Sequence, residues 1–263
     1  MMTDSLIEHA IHIGILAGTA EGAALCYRTM CGEADEDDIT GRNMHPEITL
    51  HALPLRYYLD AIDRDDWGTV AALMSHSASK LVRAGADVIV CPNNTLHNAF
   101  DLVESPVPWL HIAKPVVNEI AQRGWRRVGI LGTQIVMEGA IYSSELEQRE
   151  VAVVTPNGDD RVRIQRIIRT ELVAGRFTAE SRLFLQKVIA KMAAEGAEAV
   201  ILGCTELPLL LSKEQSDLPL LDSTRLLAQA ALNYGRQLRG EYRVRDCLRG
   251  GGQLCVRGAA TAA

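Results

Sequence analysis

The segment GADVIVCPNNTLH, Gly85 to His97, returns in outline further along the chain as GAEAVILGCTELP, Gly196 to Pro208. Aligned without a gap, Gly85 faces Gly196, Ala86 faces Ala197 and Asp87 faces Glu198, and the apolar run holds to Val90 and Ile201. Three positions beyond, Asn93 falls opposite Cys204. A second pair accompanies the first. IHIGILAGT, Ile11 to Thr19, is echoed by RRVGILGTQ, Arg126 to Gln134. Both are short apolar runs ending in small polar residues, the signature of strands buried in a parallel sheet. Two strands in each half with a counterpart in the other, in the same order, indicate two similar α/β lobes.

The intervening segments fit that grammar. EITLHALPL reads as another strand, and Trp67–Ala84 places Val70, Leu73, Met74, Ala78, Leu81 and Val82 at helical spacing. Ser181–Ala194 does the same with Leu185, Val188, Ile189 and Met192 before the Gly196–Leu202 run. Alternating strands and helices predict mainly parallel sheets flanked by helices, two Rossmann-like lobes related by pseudo-symmetry, with a site in the cleft between them.

A net charge of -6 argues against a phosphate-backbone binder, so no nucleic-acid partner is expected. No apolar run reaches the length of a membrane span, and the polar start MMTDSLIEHA is unlike a signal segment; cytoplasm is the expected compartment. The six cysteines are scattered without a CxxC pair, which points away from a disulfide framework or a zinc knuckle, and no metal is expected. From Arg236 the sequence is arginine-rich with a glycine triplet, and residues 241–263 are expected to be a disordered tail.

Open α/β folds build their sites at the carboxyl ends of parallel strands. Four such ends carry small polar residues: Gly18–Thr19, Asn93–Thr95, Gly132–Gln134 and Gly203–Glu206. Hydroxyls and amides beside helix starts suit a small carboxylic acid. The rival ligand is phosphate, but GxxxxGK[ST] is absent and GILAGTAEG is a poor dinucleotide fingerprint. Cys204, after a buried strand and before a helix start, is expected to feel the helix dipole and to have its pKa lowered toward thiolate. Buried cysteines are also commonly inert.

Taken together, NNTLH, ILGTQIVMEG, LGCTELPLL and LPLLDSTRLL, in order between Ile11 and Asn233, resemble the aspartate/glutamate racemase family. The resemblance implies an isomerase that needs no cofactor, homodimers, and a chain that returns after the second motif to complete the first lobe. The lobes would then be residues 1–113 with 210–240, and 114–209. It also implies proton exchange at the α-carbon of an amino acid or related acid by two cysteines on opposite faces. Cys204 carries over as one acid/base, Asn94, Thr95 and Thr205 as carboxylate holders, and His97 as a motif residue that could equally be a structural partner.

Three positions depart from the pattern. Asn93 replaces the first cysteine, and an amide holds a carboxyl group but carries no proton. Cys91 lies on the same side of the strand, roughly 6–7 Å deeper. Gln134 stands where members handling dicarboxylic substrates tend to have a basic residue, and Leu227 where histidine is frequent. Thr19 and Gln134 are expected to line the side-chain pocket, Thr19 serving alternatively as a helix N-cap. Glu206 either orients a neighbour or, the favoured reading, favours a helix start. The expected function is a racemase or epimerase with Cys204 and Asn93 at its centre. The alternatives are a single-cysteine decarboxylase or isomerase, and a catalytically degenerate small-acid binder.

Overall fold

The computed structural model describes residues 11–34, 45–212, 214 and 216–249, with side chains described only as far as Leu238. β1 (His12–Ala17) is buried at every position, as expected of a central parallel strand rather than an edge. Thr19 caps α1 (Ala20–Gly32), and β2 (Glu47–Ala52), α2 (Leu55–Ile62), α3 (Trp67–Arg83) and β3 (Val88–Val90) follow. A 3-10 helix (Thr95–Leu102) and β4 (Trp109–Leu110) complete a parallel sheet of order β2-β1-β3-β4.

The second half repeats this plan. α4 (Ala113–Arg123) leads into β5 (Arg127–Gly132), α5 (Gln134–Glu138), α6 (Ala140–Glu147), β6 (Ala152–Val154), α7 (Gly158–Thr170), α8 (Ala179–Ala194) and β7 (Ala199–Gly203). The short α9 (Leu207–Leu210), β8 (Leu220–Asp222) and the long α10 (Ser223–Arg249) end the described chain. The second sheet, β6-β5-β7-β8, has the order of the first. Even the registers coincide: Ile13, Gly14 and Ile15 pair with Val88, Ile89 and Val90, as Val128, Gly129 and Ile130 pair with Ala199, Val200 and Ile201.

The repeated glycine and acid account for that agreement. Gly85 and Gly196 both take positive φ, +100° and +87°, a conformation that turns the chain from helix into strand and that side-chain-bearing residues rarely adopt. The acid two residues on then holds the start of the neighbouring strand. Asp87 Oδ2 accepts from the His12 amide at 2.9 Å, and Glu198 Oε2 accepts from the Arg126 and Arg127 amides at 2.6 and 3.0 Å. A strand held at its first residue cannot slip by one position, which would turn its apolar side chains to the wrong face.

Alternation divides the first lobe's core between the two faces of its sheet. Ile13, Ile15, Val88 and Val90 pack with Ala23, Cys26 and Met30 of α1 and with Leu227, Ala228, Ala231 and Leu232 of α10. Leu16, Ile89 and Cys91 pack against α2 and α3. The second lobe has its own core, built on β5 and β7 with residues of α4, α6, α7 and α8.

Two expectations need correction. The chain does not return to the first lobe at residue 210: the apolar Leu220–Asp222 segment pairs with β7, so the crossing falls between β8 and α10. Nor is the tail wholly disordered, since α10 continues as helix through Arg249, while residues 250–263 lie outside the described ones. Among the described residues no helix is long and apolar enough to cross a membrane.

A methyl group at Gly85 or Gly196 would meet no backbone, its nearest neighbours being His12 Nδ1 at 3.3 Å and Arg127 Cδ at 3.5 Å. The cost of Gly85→Ala or Gly196→Ala is therefore conformational, about 1–3 kcal/mol of unfolding free energy, measurable as a lower urea midpoint with unchanged slope.

Candidate active site

The matching sheets bring the carboxyl ends of β1, β3, β5 and β7 to one cavity of about 170 Å³. Thr19 reaches it from β1, Asn93, Asn94 and Thr95 from β3, Thr133 from β5, and Gly203 to Glu206 from β7. Hydroxyl pairs link these ends: Thr95 with Thr133 at 3.0 Å and Thr19 with Thr205 at 3.4 Å. Thr19 both caps α1, accepting from the Gly22 amide at 3.2 Å, and lines the cavity.

Asn94, expected as a carboxylate holder, lines the cavity. Its amide is buried and engaged at both ends, Oδ1 accepting from Tyr142 Oη at 2.5 Å and Nδ2 donating to Ser223 Oγ at 3.0 Å. Ser223 in turn donates to the Leu202 carbonyl at 2.9 Å. The chain Tyr142–Asn94–Ser223–Leu202 fastens the loop after β3 to the second sheet.

Asn93 Oδ1 accepts from the Leu96 amide at 3.1 Å. Its side chain lies so close to Gly18 that a Cβ there would stand 2.5 Å from Nδ2. Gly18 thus makes room for the amide that occupies the place of the expected first thiol.

His97 is structural. Its Nε2 accepts from the Ile112 amide at 3.2 Å, which leaves Nδ1–H to donate to the Asn93 carbonyl at 2.9 Å. Both ring nitrogens hold backbone around the site in a buried, neutral imidazole. Cys91 is also away from the chemistry: it lies in the core against α2 and α3, and burial pushes its thiol well above the ordinary range.

Cys204 is nearly buried yet lines the cavity. Its Sγ–H donates to Glu206 Oε2 at 3.0 Å, and the same oxygen accepts from Thr205 Oγ1 at 3.0 Å. Burial and the Glu206 charge drive the thiol pKa well above its usual value, against a smaller opposing effect of the Glu206 and Leu207 amides. The expectation of a lowered pKa is overturned. The helix start acts in the expected direction, but α9 is one turn long and desolvation with a neighbouring carboxylate outweighs it. Glu206 stands at the N-cap of α9, at the helix start as expected, but its side chain makes no capping bond; it is buried, and its Oε1 has no hydrogen-bond partner.

Gln134 does not line the cavity. Its side chain turns to Glu138, with 3.1 and 3.2 Å contacts, while its amide donates to Gln165 Oε1 at 2.9 Å. Gln165 and Arg169 of α7 form that wall instead. Arg169 is paired with Asp63, at the end of α2, at 2.6 Å. Neither α7 residue carries a sequence signal, because RVRIQRIIRT reads as an ordinary amphipathic helix; Tyr142 is equally inconspicuous. The position of Leu227 is apolar core, which leaves no place for a polar group there. Among the described residues, no cluster of three His, Cys, Asp or Glu could hold a metal ion.

The hydrogen bond from Cys204 predicts that Glu206→Gln lowers the thiol pKa by removing a negative charge. Iodoacetamide should then alkylate Cys204 faster at neutral pH, read by mass spectrometry of the labelled peptide. A second prediction concerns acid. Burial lowers the His97 pKa from 6.5 to about 3, so the unfolded chain takes up a proton that the folded one excludes. The stabilisation from this group is complete above 6.5 and is lost as pH falls toward 3. At about pH 4.5 the loss is about 2–3 kcal/mol. As pH is lowered from 6.5, urea midpoints of the wild type should fall more steeply than those of His97→Gln.

Comparison with known proteins points one way. The Asp/Glu/Hydantoin racemase family model matches residues 38–231. The broad specificity amino-acid racemase RacX of Bacillus subtilis (strain 168) is 25% identical over 192 residues, covering 72% of this chain and 82% of the relative. A candidate Asp/Glu racemase from Yersinia pestis has a structure similar at TM-score 0.76 and 33% identity, covering 86% of this chain and 100% of that one. An aspartate racemase homologue from Pyrococcus horikoshii OT3, PH1733, is similar at TM-score 0.71 and 29% identity, covering 86% and 99%.

Proposed function

The chain belongs to the Asp/Glu/hydantoin racemase family, and on that premise we propose that it is a cofactor-independent isomerase acting at the α-carbon of an amino acid or related small carboxylic acid. The observation that carries this reading is the pair Cys204–Glu206 on the wall of the interlobe cavity, a thiol in hydrogen-bond contact with a buried carboxylate.

The pair supports a definite division of labour. Substrate enters with its carboxylate toward the polar strand ends, where the Asn93 side-chain nitrogen and one hydroxyl of the Thr95–Thr133 pair offer donors. Cys204 passes its proton to Glu206 Oε2, and the thiolate takes the α-proton, leaving an enediolate held by those donors. Glu206 is the partner that makes a high-pKa thiol usable as a base. Return of the proton to the same face gives back the starting enantiomer, and Glu206 hands its proton back to the thiolate. Protonation of the opposite face by water gives the other enantiomer, and the hydroxide so formed takes the proton held on Glu206, restoring thiol and carboxylate.

A second reading has its own support in Asn93. Its amide carries no proton and its Oδ1 is held by the Leu96 amide, so the first lobe offers no counterpart to Cys204. A reaction needing one proton donor, such as decarboxylation of a malonate-type acid followed by protonation from Cys204, suits this asymmetry. Incubation in heavy water separates the two. Isomerisation is expected to place deuterium at the α-carbon with loss of configuration, whereas carbon dioxide release from malonate-type acids without such exchange would favour the second reading.

Cys204→Ser should lower either activity by at least about 100-fold with little effect on ligand binding. Asn93→Cys, supplying a thiol on the first lobe, should raise enantiomer interconversion by about 10- to 100-fold relative to deuterium exchange with retention, measured by chiral chromatography.

A further inference from the structure

Resting on the reading of this cavity as the site for an α-substituted acid, we infer that its ligand is a monocarboxylic acid with an aliphatic or single-ring α-substituent, not a dicarboxylic amino acid. The wall away from the strand ends is mainly apolar, formed by Leu55, Leu59 and Ile62 of the first lobe and Ile135, Ile168 and Val173 of the second, with Tyr58, Gln165 and Arg169 among them. Its size fits. A dry aliphatic cavity of about 150 Å³ accepts a benzene ring, and this one measures about 170 Å³.

Charge leads to the same class. Among the described residues lining the cavity, Arg169 is the one cation and Glu206 the one anion. Arg169 Nη2 stands 2.6 Å from Asp63 Oδ1, and the two side chains are 41% and 54% exposed. A second carboxylate on the ligand would have to compete with Asp63 for the guanidinium while lying in an apolar chamber that already contains the Glu206 charge. A branched alkyl group meets no such opposition, since it replaces water against aliphatic side chains. The Asp63–Arg169 pair acts as a specificity device: it neutralises the cation that would otherwise recruit a dianion.

Titration calorimetry with unreactive probes tests this apart from turnover. The full-length protein is titrated with 4-methylpentanoate, the deaminated form of leucine, and with glutarate, the deaminated form of glutamate. The expected result is at least about tenfold tighter binding of 4-methylpentanoate. Asp63→Asn, an exposed substitution, should narrow that difference by strengthening glutarate binding through the released Arg169. Equal or tighter glutarate binding by the wild type, or binding of neither probe, would overturn the inference, as would a difference that Asp63→Asn leaves unchanged. Deuterium exchange at the α-carbon of leucine and aspartate keeps the two claims separate. Faster exchange of aspartate overturns the specificity and leaves the isomerase reading standing. Selective binding of 4-methylpentanoate without exchange of either amino acid supports the specificity and counts against the isomerase reading.

Discussion

The two lobes are aligned at the cavity by an amide of the first lobe, held by Tyr142 of the second and by Ser223, itself bonded to β7. Asn94 sits at the end of β3, yet its partners are Tyr142 on α6 and Ser223 at the head of α10, the latter tied to β7 through the Leu202 carbonyl. All four residues of this hydrogen-bonded relay are buried, and a buried amide deprived of a partner is costly. The two sheets are therefore fixed at the level of their strand ends, where a sub-ångström change alters which groups a small ligand can reach. The direct hydroxyl contact of Thr95 with Thr133 adds to the same alignment.

On this frame the chemistry is asymmetric. The two sheets agree in order and register, so Asn93 and Cys204 occupy equivalent places, but their surroundings have diverged. The second-lobe position carries a thiol, a hydroxyl and a carboxylate converging on one oxygen. The first-lobe position carries an amide that braces its own loop. Symmetry of backbone with asymmetry of side chains is what one expects when folding depends on the repeated glycine and acid, while the substituents at the strand ends line the cavity.

Much of this was readable beforehand, for a physical reason. Gly85 and Gly196 act on their own turns, so their effect is local, whereas Asp87 and Glu198 hold strand starts far off in sequence and are marked only because the motif occurs twice. The strands themselves announce their burial through unbroken apolar runs. The pairing of Asn94 with Tyr142, or of Arg169 with Asp63, spans distant segments and depends on how the lobes meet, which no local pattern encodes. Cys204 shows a subtler failure. The adjacent helix start was visible and its effect correctly signed, but burial of the thiol itself, and then the neighbouring Glu206 carboxylate, are properties of the folded interior, and together they reverse the outcome.

The late crossing of the chain has a consequence for how the protein is made. One face of the first sheet is covered by Leu227, Ala228, Ala231 and Leu232, which leave the ribosome after the whole of the second lobe. Until they arrive, Ile13, Ile15, Val88 and Val90 belong to a half-finished layer with oily surface open to water on that side. Vectorial synthesis thus gives the second lobe, whose core needs only contiguous sequence, the chance to mature first, and leaves the amino-terminal half dependent on a helix from the far end. Release of the nascent chain before α10 emerges would yield a species with one sound lobe and one sticky one, the kind that chaperones retain.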